Sequence, residues 1–498
     1  MEGAEIVSPT LTEARLGSGP ARELVDHVNA VELDDETAAV AHYVRMDLAH
    51  TLMLTQEGIF RKQQGAAITA ALLRLLDTDP RTLLAGDPAI GTLGLQIERY
   101  LEEQCGPSGL DIQRARSRID QKSTGIRLAD REALLHTMDA MLRLGEALLA
   151  AAERHDAVLA PGYTHLQHAQ PTTLGHYFNA QYWPVSRALD RTIHALRRLD
   201  ECPLGGAAHS GTSWPINRET TASYLGFARP VRNARDAGLS AQDGGAEIAA
   251  VLGLSLAGAA RCASDLFYWS SSEVGLVRLS SALCGTSSMM PQKRNPIVLE
   301  RIRGLAGEAA GWTASQLGTL HSATSTDADQ AYVHNRIPGY CRESAGAFDL
   351  LAEAVTTLEV DAEALRASAG RHWSTASALA DDLVRTRGLS FRQAHETVAR
   401  YIAAQETNTS AQPRDPAPGE LADYTPEDLA RILDAAAFVE TRTSQGGTSA
   451  ARRKELAHEA ELDLDRHRRT GADLHARVVE ADTRLLRDAA ALAATHHI

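Results

Sequence analysis

Between about residues 121 and 368 the sequence holds four long helical runs. Helices of that length are stable only side by side, so a bundle is the architecture this chain must build. Arg127 to His155 places Leu134, Met138, Met141, Gly145 and Leu148 on one stripe at three- and four-residue steps, with Arg131, Glu132, Arg143 and Glu146 off it. Leu174 to Leu199 is a second run, in which Pro184 predicts a kink. Gly245 to Val274 and Ile297 to Leu320 are the third and fourth. Several runs are apolar on more than one face, which predicts burial between subunits as well as within one. Aromatics are only 5 % of the residues and Ala and Leu dominate, a balance that favours helix over sheet.

A chain of 498 residues exceeds one compact core. The reading is all-α with three domains: a mixed helical region 1–120, the central bundle 121–368 and a shorter-helical region 369–498. The first is broken at Asp87-Pro88 and again at Cys105 to Gly109; the last holds a turn-rich loop, Thr407 to Gly419, and ends in charged helices. A net charge of −14 disfavours a nucleic-acid partner. The five cysteines lack metal-ligand spacing and read as reduced thiols of a cytoplasmic protein. The N-terminus has no apolar signal core, and the most apolar stretch, Ala249 to Ala260, is too short to span a bilayer, so no membrane partner is expected.

Three polar segments carry the chemistry. Arg116-Ser-Arg-Ile-Asp-Gln121 sets two arginines about a serine, able to grip a carboxylate, although alone they read as ordinary surface arginines. Pro161 to Pro171 is a polar loop between two long helices, with two histidines, a threonine and two glutamines; it reads equally as structure or site. Cys284 to Pro296 is a loop of small residues followed by Met-Pro-Gln-Lys-Arg-Asn-Pro, which sets Lys293 and Asn295 ahead of a helix N-terminus, a place suited to an anion.

In this order the segments resemble the fumarase/aspartase superfamily, and within it the argininosuccinate lyase branch. Thr286 to Pro296 is similar to the superfamily loop GSSxMPxKxNP, Gly162 to Pro171 to GYTHLQRAQP, and Arg116 to Gln121 to RSRNDQ. Pro203 to Glu219, Ala376 to Val398 and Arg442 to Thr448 resemble further stretches of that branch, so the likeness runs from about residue 45 to about 460. It implies a homotetramer whose central helices form one bundle, with each active site shared among three subunits. It also implies β-elimination of an amine from an N-substituted aspartate, releasing fumarate, with no metal or organic cofactor.

By the same resemblance Ser287 is the base that takes the Cβ proton, and Lys293 and Asn295 hold the carboxylate whose charge grows. Ser117, Arg118 and Thr164 anchor the succinyl part, with Ile119, Gln170, Ser288 and Met290 also in the substrate shell. His165, oriented by Glu300 from another subunit, passes a proton to the leaving nitrogen.

Four departures mark the substrate-reading shell. Ile119 replaces the asparagine of RSRND, and Gly94 stands where the branch has a histidine. The tyrosine of YNxDxQED has no clear counterpart near Thr324 to Gln330, and Thr286 replaces the loop's leading glycine. The acid–base groups are all present, which points to an altered leaving amine. Argininosuccinate itself and an inactive, crystallin-like structural relative stay open as alternatives.

Overall fold

The computed structural model describes residues 19–238, 240–320, 336–407 and 419–497. The N-terminal part carries α1 (Ala30–Thr37), α2 (Val40–Gln56), α3 (Lys62–Asp77) and α4 (Leu93–Cys105). The bundle follows as α5 (Arg118–Arg154), α6 (Leu174–Arg198), α7 (Ser240–Trp269), α8 (Ile297–Leu317) and α9 (Ile337–Thr356). Each predicted long run is a helix. α6 continues through Pro184, and α5 begins nine residues before the predicted start.

Side-chain contacts give the direction of each helix. Along α5 and α6, Gly175 lies against Ala152 and Thr192 Oγ1 donates to Met141 Sδ, so the two are antiparallel. Ser123 Oγ donates to the Gly238 carbonyl near the start of α7, and Trp269 at its end meets Tyr177 near the start of α6; α7 therefore runs with α5. The Arg303 guanidinium covers the Phe267 ring at 4.8 Å while Ala309 faces Gly253, which turns α8 back along α7. α9 runs with α5, because Thr137 bonds the Cys341 carbonyl and Arg154 the Thr356 carbonyl. The five helices thus alternate up, down, up, down, up.

The apolar stretch Ala249 to Ala260 turns out to be part of a longer apolar helix. Asp243–Trp269 is long and apolar enough in composition to cross a membrane, contrary to the sequence expectation. Its surroundings account for that character: Ile248, Leu252, Leu256, Ala263 and Leu266 are fully buried against the neighbouring bundle helices.

The final helix, α10 (Ala450–Ala493), runs the length of the bundle. It is tied to the upper end by Arg453–Asp156, to the middle by Asp463 accepting from Tyr182 and Ser186, and to the lower end by Arg477–Asp200. It enters both the bundle core, through Ala460 and Leu464, and the core beneath α2 and α3, through Leu485 and Ala489. A separate small core gathers Leu379, Leu383, Val398, Tyr401 and Leu429.

Candidate active site

Ser117, Arg118 and Ile119 stand at the lower end of the bundle, where α5 begins. The buried Asp120 fixes them there: one oxygen accepts from the Ser117 N–H at 2.8 Å, the other from Gly205 and Ala207 N–H at 2.9 Å each. The expectation of a two-arginine grip fails in one respect. Arg116 is buried against Asp47 at 2.5 Å, both almost solvent-free, and withdrawing it would strand a buried charge at a cost of about 3–5 kcal/mol. Arg118 is half exposed, and its Nη2 meets both carboxylate oxygens of Glu32 on α1 at 2.7 Å. Lys122 bonds the same carboxylate. Burial alone would raise the Glu32 carboxyl, but the Lys122 and Arg118 cations outweigh it and hold it below the usual range. A Cβ at Gly94 would fit in ordinary contact with the Gln113 and Gln121 amides, at 3.9–4.0 Å.

Thr164 and His165 belong to the connection between α5 and α6. Where the sequence suggested a plain loop, the chain forms two small antiparallel ribbons. β1 (Leu159–Ala160) pairs with β4 (Thr172–Thr173), and β2 (Tyr163–Thr164) with β3 (Gln167–His168). Thr164 faces Gln167 across a two-residue turn, and both turn residues, His165 and Leu166, have positive φ, 56° and 57°. That is the backbone of a primed turn, normally given to Gly or Asn, so the tip is strained. The tip is exposed, with Leu166 64 % accessible, while the hairpin base is braced. Tyr163 packs on His168 at 5.0 Å and on Tyr268, and His168 meets Ser368 Oγ at 3.1 Å. Gln170 reaches Ser377 Oγ at 3.5 Å.

Ser287 lies in the connection between α7 and α8. β5 (Gly285–Thr286) pairs antiparallel with β6 (Arg294–Asn295), so residues 287–293 form the tip of a second hairpin. Thr286 is an ordinary strand residue here, paired with Arg294, which anchors the base by donating to the Leu279 carbonyl. Ser287 Oγ accepts from two backbone N–H groups, Met289 at 3.3 Å and Met290 at 3.0 Å. Donors converging on a hydroxyl oxygen favour its negatively charged form. Ser288, Met290 and Lys293 are exposed and Asn295 is half-buried. α8 then begins after Pro296 with no side-chain cap: the Leu299 and Glu300 N–H groups donate to the Pro296 carbonyl, those of Ile297 and Val298 precede the helical ladder, and Glu300 is exposed one turn further on.

The two hairpins share the upper end of the bundle, whereas Ser117 to Ile119 occupy the lower end. α5 has 37 residues, which at 1.5 Å per residue is about 55 Å. One copy therefore cannot bring Arg118 to His165 or Ser287. Thr324 to Gln330, compared in sequence with YNxDxQED, lies outside the described residues. Two participants escaped sequence reading. Glu32 sits in a segment without any motif, and Asp120, though inside the Arg116 to Gln121 motif, gives no sign there that it staples a distant loop.

Comparison with known proteins bears on all three segments. Residues 87–311 match a family model described as Lyase, and 373–440 one described as Argininosuccinate lyase C-terminal. The chain is 34 % identical over 436 residues to the argininosuccinate lyase of Methanothrix thermoacetophila, covering 85 % of this chain and 87 % of that one. It is 35 % identical over 449 residues to that of Chelativorans sp., covering 88 % and 92 %. Its fold is similar to the crystal structure of EDDS lyase in complex with formate, with TM-score 0.83, 30 % identity, and 96 % and 97 % of the two chains covered. A class II fumarase from Schistosoma mansoni shares the fold alone, with TM-score 0.65 at 15 % identity.

Proposed function

The chain belongs to the argininosuccinate lyase family of fumarate-releasing carbon–nitrogen lyases, and from that premise we propose that it removes an amine other than arginine from an N-substituted aspartate. The observation that carries the chemistry is Ser287 Oγ, held at an exposed hairpin tip beneath two backbone donors.

In this reading Ser287 takes the Cβ proton, and the electron pair left behind moves onto the neighbouring carboxylate. That dianion is far too unstable in water, so donors must be in place before it forms. Lys293, Asn295 and the Ile297 and Val298 N–H groups at the start of α8 are at hand. The pair then returns to form the double bond of fumarate, the C–N bond breaks, and the amine leaves with a proton from His165. Glu300 of the partner subunit orients that imidazole. Ser117, Arg118 and Thr164 hold the remaining carboxylate and polar groups, and Gln170, Ser288 and Met290 complete the shell.

Separation of the segments by the length of α5 supports a site built from several copies, and a homotetramer with sites shared among three subunits fits it. α8 offers a face for close approach: side chains added at Gly304, Gly307 or Gly311 would meet nothing within 4 Å in the isolated chain. The division into 1–120, 121–368 and 369–498 remains a proposal, and within it α10 of the last segment packs along the bundle rather than apart from it; a cytoplasmic setting suits the scattered free thiols.

The altered amine rests on Ile119 and Gly94, which remove hydrogen-bonding groups from the shell while leaving the proton-transfer residues in place. EDDS lyase, a structural relative, is named for a substrate other than argininosuccinate, which supports that reading. A second reading, cleavage of argininosuccinate itself, is favoured by the identity to enzymes of that name. Ultraviolet detection of fumarate from argininosuccinate and from EDDS separates the two. Ser287→Ala is expected to lower turnover at least a hundredfold, the usual worth of a general base, with an unchanged melting curve. Fumarate release that persists in that variant would refute the assignment of the base.

A further inference from the structure

We propose that His209 is a specificity-determining residue, presenting an imidazole acceptor beside Ile119 to an N–H of the leaving amine. The inference rests on the reading that Ser117 to Ile119 face the substrate.

The loop that carries His209 is held in an unusual shape. Gly205, Ala207, His209 and Gly211 all have positive φ, at 85°, 49°, 73° and 74°. For alanine and histidine this is a sparsely populated conformation that persists only where the surroundings impose it. Asp120 imposes it, because the carboxylate that fixes Ser117 also accepts from Gly205 and Ala207. One buried group therefore sets the register between this loop and the start of α5.

Gly238 brings the two side chains together. A Cβ at that position would stand 2.7 Å from His209 Cε1, 3.0 Å from its Nδ1 and 3.5 Å from Ile119 Cδ1. The imidazole and the isoleucine tip thus border the same small space, and any side chain at 238 would collide with the ring. His209 Nδ1 lies 3.3 Å from the Arg235 carbonyl. That carbonyl can only accept, so a neutral ring carries its proton on Nδ1 and leaves Nε2 as an acceptor. The half-buried ring is aimed by this contact, and Nε2 is its remaining polar atom. Ile119 deletes an amide from the shell and His209 adds an acceptor in its immediate surroundings, a change suited to an amine rather than to a carboxylate.

The two ring nitrogens can be tested apart. An asparagine amide reaches about as far as Nδ1 and tolerates positive φ, whereas a glutamine amide reaches about as far as Nε2. With whichever of argininosuccinate and EDDS gives Ser287-dependent fumarate, H209N is expected to raise KM about tenfold while kcat changes less than about threefold. H209Q is expected to keep KM within about threefold of the parent, and thermal melting of both variants checks that they fold. Wild-type KM in H209N, or equal losses in both variants, would overturn this inference alone and leave the lyase reading standing. Absence of fumarate from both substrates with the unaltered protein would overturn it together with the substrate assignment beneath it.

Discussion

At the scale of single residues, charge and strain say more than residue type. Arg116 and Arg118 look equivalent in sequence, yet one is locked in a buried pair with Asp47 and the other is half exposed. Arg118 is nevertheless occupied, since Glu32 presents it with both carboxylate oxygens. A substrate carboxylate that uses Arg118 must compete with this internal one. Glu32→Gln removes the competing charge, and steady-state kinetics should show KM falling several-fold with kcat little changed. A rise in KM would mean instead that Glu32 orients Arg118 for the substrate. His165 and Leu166 make the complementary point: their positive φ values mark a tip held in shape by its braced base, and nothing in the polar run Pro161 to Pro171 announces that.

At the scale of elements, the long helices were legible because their apolar stripes repeat at helical period, and packing rewards that pattern wherever it occurs. Leu134, Met138, Met141 and Leu148, assigned to one stripe of α5, are all buried in the bundle core. The short ribbons at 159–173 and 285–295 were not legible, because two-residue strands have no period to read. Nor was Glu32, whose importance comes from a partner 86 positions away. α8 carries its own prediction. Gly307 faces open space in one chain, so Gly307→Leu should cost the isolated fold little but obstruct close helix approach between copies. Light scattering after size exclusion is expected to show smaller species and lost activity. An intact tetramer with full turnover would remove α8 from the proposed interface.

At the scale of the whole molecule, two properties follow. The first is acid sensitivity. His50 is buried with Nε2 at 2.9 Å from the Arg114 carbonyl, and burial, helped by the Arg116 cation, pushes its pKa well below the usual 6.5. The unfolded chain takes up that proton below pH 6.5 while the folded chain resists it, so His50 contributes stability above 6.5 that is lost as pH falls toward its folded value. Between pH 7 and pH 5 the melting temperature of the parent should therefore fall more than that of His50→Gln; parallel slopes would contradict the burial argument. Asp47 and Asp120, which burial raises, act with the opposite sign, but they are common to both proteins and cancel in the comparison.

The second follows from the proposed site: α5 separates Arg118 from Ser287 by roughly 55 Å, so a site that uses both residues needs more than one copy. The most direct test mixes two inactive proteins, Arg118→Ala and Ser287→Ala, unfolds them and refolds them together, and follows fumarate release. Random assembly should give roughly a quarter of native activity, the share of sites that draw Arg118 from a Ser287→Ala copy and Ser287 from an Arg118→Ala copy. No recovery from well-folded mixed tetramers would show that both residues act within one copy, and would contradict the shared site.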